Sequence, residues 1–367
     1  RWVEKIIEPS GIKINGSNPW DVRVVNSNFY DRLRTQGSLG LGESYMDAWW
    51  ECDRLDEFFY RLLSSDIPSR VGLSLPLVLG AIKAKLFNLQ AIKRAFQIGE
   101  KHYDIIGNDI FEPMLGRTMA YTCGYWRDAD SLDQAQDTKM DLICRKLGLQ
   151  KGQRVLDIGC GWGGFAFFAV KKYEARVVGI TVSKEQIKFA EQLCGGLPAE
   201  FRFQDYRELN EKFDHIVSVG MFEHVGAKNY RTFFEMVKRC LKEDGLALLH
   251  TIGRLNTSGF ADPWINKYIF PNGMLPSLKQ ITSATEGLFV IEDVHSFGSD
   301  YDKTLLAWHK NFESSWPKLE SKYGERFHRM WNYYLLSCAG AFRARTNQLW
   351  QIVFSPSGVA GGYKPAR

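Results

Sequence analysis

The chain has 367 residues, of which 45% are apolar, 24% charged and 14% aromatic, and its net charge is +5. That is enough sequence for one large domain or for two domains with real cores, and too little charge to argue for a nucleic-acid partner. Seven cysteines without a CxxC pair argue against a disulfide framework or a zinc site and fit a reducing compartment.

Residues 1 to about 100 read mainly as short helices with loops. Gly37 to Ser44 contains three glycines, too many for a helix interior, and predicts a turn feeding a helix that carries Trp49 and Trp50. Val71 to Ile82 is the longest nearly apolar run. It contains Pro76 and is too short to span a bilayer. No secretory signal is visible. Lys83, Lys85, Lys93, Arg94 and Lys101 stand against Glu100 alone, interleaved with Leu86, Phe87, Ile92 and Phe96. Such a segment suits an anionic membrane surface or, equally, a solvated helix face over a core.

From about Thr138 strands and helices alternate. Strands are predicted at 154–158, 176–181, 200–204, 215–219 and 245–251, and helices at 165–172, 183–193 and 230–241. Ser183 with Gln186 three residues on predicts a capping box. A helix at 278–286, a strand at 289–294, long helices from 303 to about 344 and a strand at 349–354 follow. This pattern predicts an α/β fold, a doubly wound and mainly parallel sheet covered on both faces, preceded by a smaller, mainly helical N-terminal domain. Ligands of such sheets bind at the carboxyl ends of the strands.

The strand at 154–158 runs into Gly159-Cys160-Gly161-Trp162-Gly163-Gly164. Glycines let the backbone turn sharply and approach a ligand, and the next helix begins with free N–H groups. A nicotinamide dinucleotide site would need an acid at the tip of the next strand. That strand ends in Gly179-Ile180-Thr181-Val182-Ser183, without one. The alternative is a glycine turn in some other doubly wound fold.

The segment from Val155 to Gly164 resembles the first motif of class I S-adenosylmethionine-dependent methyltransferases. Other strings narrow the likeness: His102-Tyr103-Asp104, Tyr121 to Trp126, Ser218 to Gly226, Leu249 to Ile252, Asp262 to Gly273 and Gly340 to Arg345. Together they resemble the bacterial cyclopropane-fatty-acid synthases and the mycolic-acid cyclopropane synthases, over essentially the whole chain. One departure is visible: Asp104-Ile105-Ile106-Gly107 has one residue more than that family's usual spacing.

The resemblance implies cofactor contacts from Tyr121, Thr122, Asp157, Gly159, Cys160, Gly161, Trp162, Thr181, Gln186, Gln204 and Asp205. Of these, Gly159 and Gly161 would border the methionine part, Thr181 and Gln186 the ribose, and Gln204 and Asp205 the adenine. It implies a reaction that adds a methylene across a cis double bond of a phospholipid acyl chain, by methyl transfer, a carbocation and loss of a proton to bound bicarbonate. The matching catalytic and bicarbonate-binding positions are Cys123, Glu223, His250 and Tyr301, with the backbone of Ile252 nearby. Taken singly, each has an ordinary structural reading: a packed thiol, a strand-end imidazole, a capping carboxylate, a core phenol. Trp264, Tyr268, Phe270 and, less directly, Cys338 are candidates for an acyl channel, with core packing the alternative. Asn266 and Lys267 suit a phosphate or the surface. No metal is expected.

The resemblance further implies a homodimer working in the cytoplasm at the inner face of the cytoplasmic membrane. The expected division is 1–100 as a lipid-engaging domain, 101–137 as linker and cofactor-capping helices, and 138–367 as the catalytic domain. Competing expectations are a related lipid methyltransferase giving methyl-branched or methoxy chains, and a non-catalytic lipid-binding protein on the same fold.

Overall fold

The computed structural model describes residues 2–65, 107–257 and 261–367. The basic segment Lys83 to Lys101, the apolar run Val71 to Ile82 and the string from His102 to Ile106 lie outside the described residues. Among the described residues no helix is long and apolar enough to cross a membrane.

Packing divides the chain into two compact units that interleave in sequence. One takes 1–87, 259–273 and 301–347; the other takes 88–258, 274–300 and 348–367. The division at 100 and 137 expected from chain order therefore does not follow the packing. Residues 259–273 and 301–347, expected in the catalytic domain, belong with the N-terminal unit. Two observations within that unit account for this. A Cβ at Gly340 would lie 2.6 Å from Phe59 Cβ and 2.7 Å from Asp56 O, so the two helices that carry these residues touch along their backbones. Arg343 donates to Asp56, Glu57 and Asp302.

The first unit contains α1 (Trp2–Ile7), β1 (Arg23–Val24), α2 (Asn28–Gln36), α3 (Ser38–Met46), β2 (Trp50–Glu51) and α4 (Leu55–Ser64). β1 and β2 pair antiparallel. Trp50 is fully buried among Phe29, Tyr45 and Phe58. Gly37 to Ser44 is not the predicted turn: Gly40 and Gly42 lie inside α3, Trp49 falls in a bend and Trp50 in a strand. Tertiary packing overrides the helix penalty of glycine, about 1 kcal/mol each. A Cβ at Gly40 would come within 2.3 Å of Arg32 O, and one at Gly42 within 2.3 Å of the Trp264 indole.

Among the described residues the second unit begins with α5 (Asn108–Leu115) and α6 (Leu132–Leu147). It continues through β3 (Arg154–Ile158), α7 (Gly164–Tyr173), β4 (Arg176–Thr181), α8 (Lys184–Leu193), β5 (Ala199–Phe203), β6 (Phe213–Val219), α9 (Tyr230–Cys240) and β7 (Leu241–Arg254). After α10 (Pro263–Tyr268), which packs in the first unit, come α11 (Leu278–Thr285) and β8 (Val290–Ser296). α12 (Ser299–Tyr323) and α13 (Glu325–Arg343) precede the last strand, β9 (Asn347–Ser355).

The seven strands stand in the order β5-β4-β3-β6-β7-β9-β8. The pairs β4/β5, β3/β4, β3/β6 and β6/β7 are parallel, and β8/β9 is antiparallel. The chain reverses direction of sheet growth between β3 and β6, the switch point where ligands of open α/β sheets bind. One face packs Leu156, Ile216, Leu249 and Phe354 against Phe233, Phe234 and Val237 of α9. The other packs Val155, Val217, Leu248 and Val353 against Met140, Ile143 and Leu147 of α6. Side chains two apart share a face, so Asp157, His250 and Gln351 continue this second face and turn it polar towards the carboxyl ends of β3 and β7.

The capping box predicted at α8 is half formed. Ser183 Oγ accepts from Gln186 N, but the Gln186 side chain meets Thr181 Oγ1 at 2.8 Å instead of returning to Ser183 N. The complete box is at Ser277 and Gln280, opening α11.

Candidate active site

The glycine loop follows β3 directly. Gly159 N and Cys160 N both donate to Ile180 O, at 2.9 and 3.1 Å, which ties the loop to β4. Gly159, Gly161 and Gly163 have φ of +80°, +54° and +85°, the left-handed region that glycine adopts without steric cost. A Cβ at Gly159 would strike Met221, and one at Gly163 would strike Ala190, whereas one at Gly161 would meet nothing within 4 Å. The middle of the loop thus faces open space, at a helix N-terminus.

Around this opening, Thr181 and Gln186 are joined by their hydrogen bond, and Gln204 N donates to Thr181 O. Trp162 packs on Phe111, which packs on Tyr121, and the Trp162 indole N–H donates to Asn108 at 3.3 Å. Cys160 is buried against Gly179, and burial pushes its thiol well up. Asp205 is occupied: its two oxygens accept from Arg207 N, Nε and Nη2. Its carboxylate holds a helical turn, a role that sequence reading does not separate from adenine binding.

Two residues that sequence reading passes over organise the Tyr121-Thr122-Cys123 segment. From α6, Gln136 Nε2 donates to Ala120 O and Thr122 O, and Lys139 Nζ donates to Thr122 Oγ1 at 2.7 Å and to Gln136 Oε1 at 2.6 Å. Lys139 is fully buried; burial pulls its pKa down to about 7, opposed by Cys123 and Asp157. Asp157 is pushed up to about 7 by burial, opposed by Lys139. The spacing of Gln136 and Lys139, three apart within an amphipathic helix, is the available signal in the sequence. Thr122 in turn lies against Gly220, where a Cβ would be 2.5 Å from Thr122 Cγ2, and Gly220 N donates to His250 O.

Glu223 sits in a single 3-10 turn, Phe222–His224, beyond β6, and His250 lies within β7. Glu223 Oε1 accepts from Ile252 N at 2.6 Å, and its backbone carbonyl accepts from Met274 N. Burial pushes the carboxyl up to about 7, moderated by the Ile252 N–H. His250 is held well below its ordinary value by burial and then by Lys139 and Lys146. Its Nδ1 lies 3.3 Å from Gln351 Nε2. Glu223 Oε2, His250 Nε2, Ser218 Oγ and Gln351 Oε1 are buried without a hydrogen-bond partner among the described residues. Buried polar atoms are normally paired; of these four, Ser218 lies with Ile216 on the α9 side of the sheet, away from His250 and Gln351.

Within the second unit Glu223 thus engages the Ile252 N–H, and His250 lies two residues before Ile252 on β7. Cys123 is fully buried beside Thr122, and its Sγ lies 3.1 Å from Gly124 O. Tyr301 belongs to the first unit, on α12, where its ring packs 4.5 Å from Phe342 and 5.9 Å from Trp308.

Trp264, Tyr268, Phe270 and Cys338 also belong to the first unit. Trp264 is fully buried, with its indole against Gly42 and its N–H on Met46 Sδ, which is core packing. The Tyr268 hydroxyl donates to Glu43, which Lys267 also contacts, and Asn266 accepts from Asn272 N. Lys267 is thus held in an ion pair. Phe270 meets Tyr334 at 5.9 Å, and Cys338 lies one turn beyond Tyr334 on α13.

The seven-stranded sheet with its antiparallel β8/β9 pair and a glycine loop open at the switch point is the fold of a class I S-adenosylmethionine-dependent methyltransferase, as in the relatives that follow. The sequence model for mycolic acid cyclopropane synthetase matches residues 90–352, and the chain belongs to that family. It is 54% identical over 367 residues to the cyclopropane-fatty-acyl-phospholipid synthase of Escherichia coli (strain K12), covering 100% of this chain and 96% of that protein. It is 34% identical over 271 residues to cyclopropane mycolic acid synthase 1 of Mycobacterium tuberculosis, covering 69% of this chain and 94% of that one. Among solved structures, mycolic acid cyclopropane synthase CmaA1 complexed with SAH and CTAB aligns with a TM-score of 0.66 at 34% identity, over 71% of this chain and 97% of the other. Coclaurine N-methyltransferase bound to N-methylheliamine and SAH shares the fold, with a TM-score of 0.70 at 21% identity over 86% and 98% of the two chains.

Proposed function

We propose that this protein uses S-adenosylmethionine to build a cyclopropane ring across a cis double bond of unsaturated phospholipid acyl chains. The 54% identity to a cyclopropane-fatty-acyl-phospholipid synthase over the full chain supports the substrate class. The observation that carries the chemistry is that Glu223, bonded to Ile252 N, and His250, two residues earlier on β7, are both buried, each with one polar atom unpartnered among the described residues.

The alkene's π electrons form a bond to the methyl carbon while the carbon–sulfur bond breaks, and a proton then leaves that carbon as its C–H electrons close the ring. S-adenosylmethionine supplies the electrophilic methyl when bound, and bicarbonate, when bound, supplies a small base. The residues present fit both groups. The space at Gly161 admits the donor's backbone-hugging part. Glu223 Oε2 can accept the hydrogen of a small oxyacid anion, and a neutral His250 can donate to its oxygen. With its carboxyl raised to about 7, Glu223 sheds part of its charge near neutrality, which lowers repulsion with an anion. Cys123, beside Thr122 in the same unit, is proposed as a further donor to the same anion. Burial of Glu223 and of His250 supports exclusion of the water that would otherwise trap a carbocation.

Phe270 and Cys338 are proposed to line the acyl path, and the protein is proposed to act as a homodimer at the inner face of the cytoplasmic membrane. The test is incubation of the full chain with S-adenosylmethionine and vesicles of a cis-unsaturated phospholipid. Mass spectrometry should show gain of one CH₂ per chain, and proton NMR the high-field cyclopropane methylene. A methyl branch or a methoxy group in the product would replace this reading with the related lipid methyltransferase. No product with an active control enzyme would end it.

A further inference from the structure

We propose that Gln351 is a positioning residue for His250: its amide nitrogen donates to Nδ1, so the ring carries its hydrogen on Nε2, the nitrogen left for the anion. The inference rests on the reading of Glu223 and His250 as an anion site.

The geometry is built from three neighbouring strands. β7, β9 and β8 are adjacent in the sheet. Gln351 on β9 is fully buried, with its Nε2 3.3 Å from His250 Nδ1, and it stands opposite His295 on β8. The groups on α6 are already engaged: Lys139 with Thr122 and Gln136, and Lys146 with His295 at 3.1 Å and Asp293 at 3.4 Å. The Gln351 amide therefore has His250 as its partner, and its Oε1 has none among the described residues. The Phe297 ring, 5.8 Å from the imidazole and tilted 65° to it, holds the ring's plane.

A neutral imidazole has one N–H and one bare nitrogen, and the bond made by one nitrogen sets the role of the other. Burial beside two lysines keeps His250 neutral. A donor at Nδ1 therefore places the hydrogen on Nε2. A ring with the opposite tautomer would present a lone pair to the oxyanion and repel it. Sequence pattern does not reveal this, because Gln351 is 101 residues from His250 and reads as an ordinary strand position.

The test uses the full chain with ¹⁵N-labelled histidine. Long-range ¹H–¹⁵N correlation should show His250 as the Nε2–H tautomer. In Gln351→Glu, a carboxylate accepts the Nδ1 hydrogen and should convert the ring to Nδ1–H. On vesicles of cis-unsaturated phospholipid, kcat of that variant should fall about 10- to 100-fold, with KM for S-adenosylmethionine within about twofold. Gln351→Met, which introduces no buried charge, should show both tautomers and an intermediate loss. An Nδ1–H tautomer in the unsubstituted protein overturns the proposal, as does a wild-type kcat in Gln351→Glu or an unmixed Nε2–H spectrum in Gln351→Met. Failure of the unsubstituted chain to form any cyclopropane would end the proposed function instead, and the tautomer measured in the same sample would still decide the role of Gln351.

Discussion

Replacing Glu223 by Gln should separate activity from stability. The substitution keeps an oxygen for the Ile252 N–H, removes the ionisable group and puts an NH₂ donor in place of Oε2. Burial raises the Glu223 carboxyl from 4.5 to about 7; at about 1.36 kcal/mol per pH unit this difference amounts to about 3 kcal/mol. The direction follows from proton linkage. The folded protein holds this proton more tightly than the unfolded chain, so the wild-type side chain costs nothing below pH 4.5. The cost grows as pH rises from 4.5 to 7 and is complete above 7. The uncharged amide of the variant escapes it at every pH. Between pH 4.5 and pH 8 the stability of the variant relative to the wild type should therefore rise by about 3 kcal/mol. Guanidinium denaturation followed by tryptophan fluorescence at the two pH values measures it. Turnover should meanwhile fall by roughly 10²-fold or more, the usual contribution of a positioned acid–base group, while affinity for S-adenosylhomocysteine changes little. A variant whose stability relative to the wild type does not rise between pH 4.5 and pH 8 would refute the assignment of a buried, raised carboxyl.

Gly161→Val should abolish S-adenosylhomocysteine binding by calorimetry, because the new side chain enters the open space at the loop and also strains a left-handed φ of +54°; unchanged affinity would show that the ligand lies elsewhere. Gln136→Leu removes the hydrogen bonds to Ala120 O and Thr122 O and the one accepted from the buried Lys139, and should cost at least about 1–3 kcal/mol for the groups left unpaired, with cofactor affinity lowered in parallel; unaltered affinity would mean that the clamp on Thr122 does not shape the site. Gly42→Ala forces a methyl to within 2.3 Å of Trp264 and should destabilise the first unit by about 1–3 kcal/mol through overpacking, read as a lowered midpoint in thermal denaturation. A neutral result would remove the packing explanation for a glycine in α3.

The cofactor loop is legible in the sequence because its determinants are local. Three left-handed glycines, the strand before them and the start of the helix after them lie within residues 154–164, and the chemistry of glycine dictates their shape wherever the chain goes. The alternation of strands and helices reveals the doubly wound sheet for the same reason: a period of two or 3.6 is a property of neighbours in sequence. Misplaced features share the opposite cause. Gly40 and Gly42 read as turn formers, yet they are helical because Arg32 O and the Trp264 indole occupy the space of their side chains. Gln186 reads as the second half of a capping box, but Thr181 offers it a nearer partner.

The methyl-donor loop, the order of elements and the residue types at Glu223 and His250 can all be read along the chain. Which side chains hold those two residues cannot. Gln136, Lys139 and Gln351 come from a helix and a strand on opposite sides of the sequence motifs and meet Thr122 and His250 on one buried face of the sheet. The physical reason is burial: once water is excluded, every polar atom there must find a partner within the protein or wait for a ligand, and the identity of that partner is a matter of packing, not of spacing along the chain. The same holds for residues 301–347, whose place with the N-terminal unit is set by a close helix contact at Gly340 and the ion pairs of Arg343.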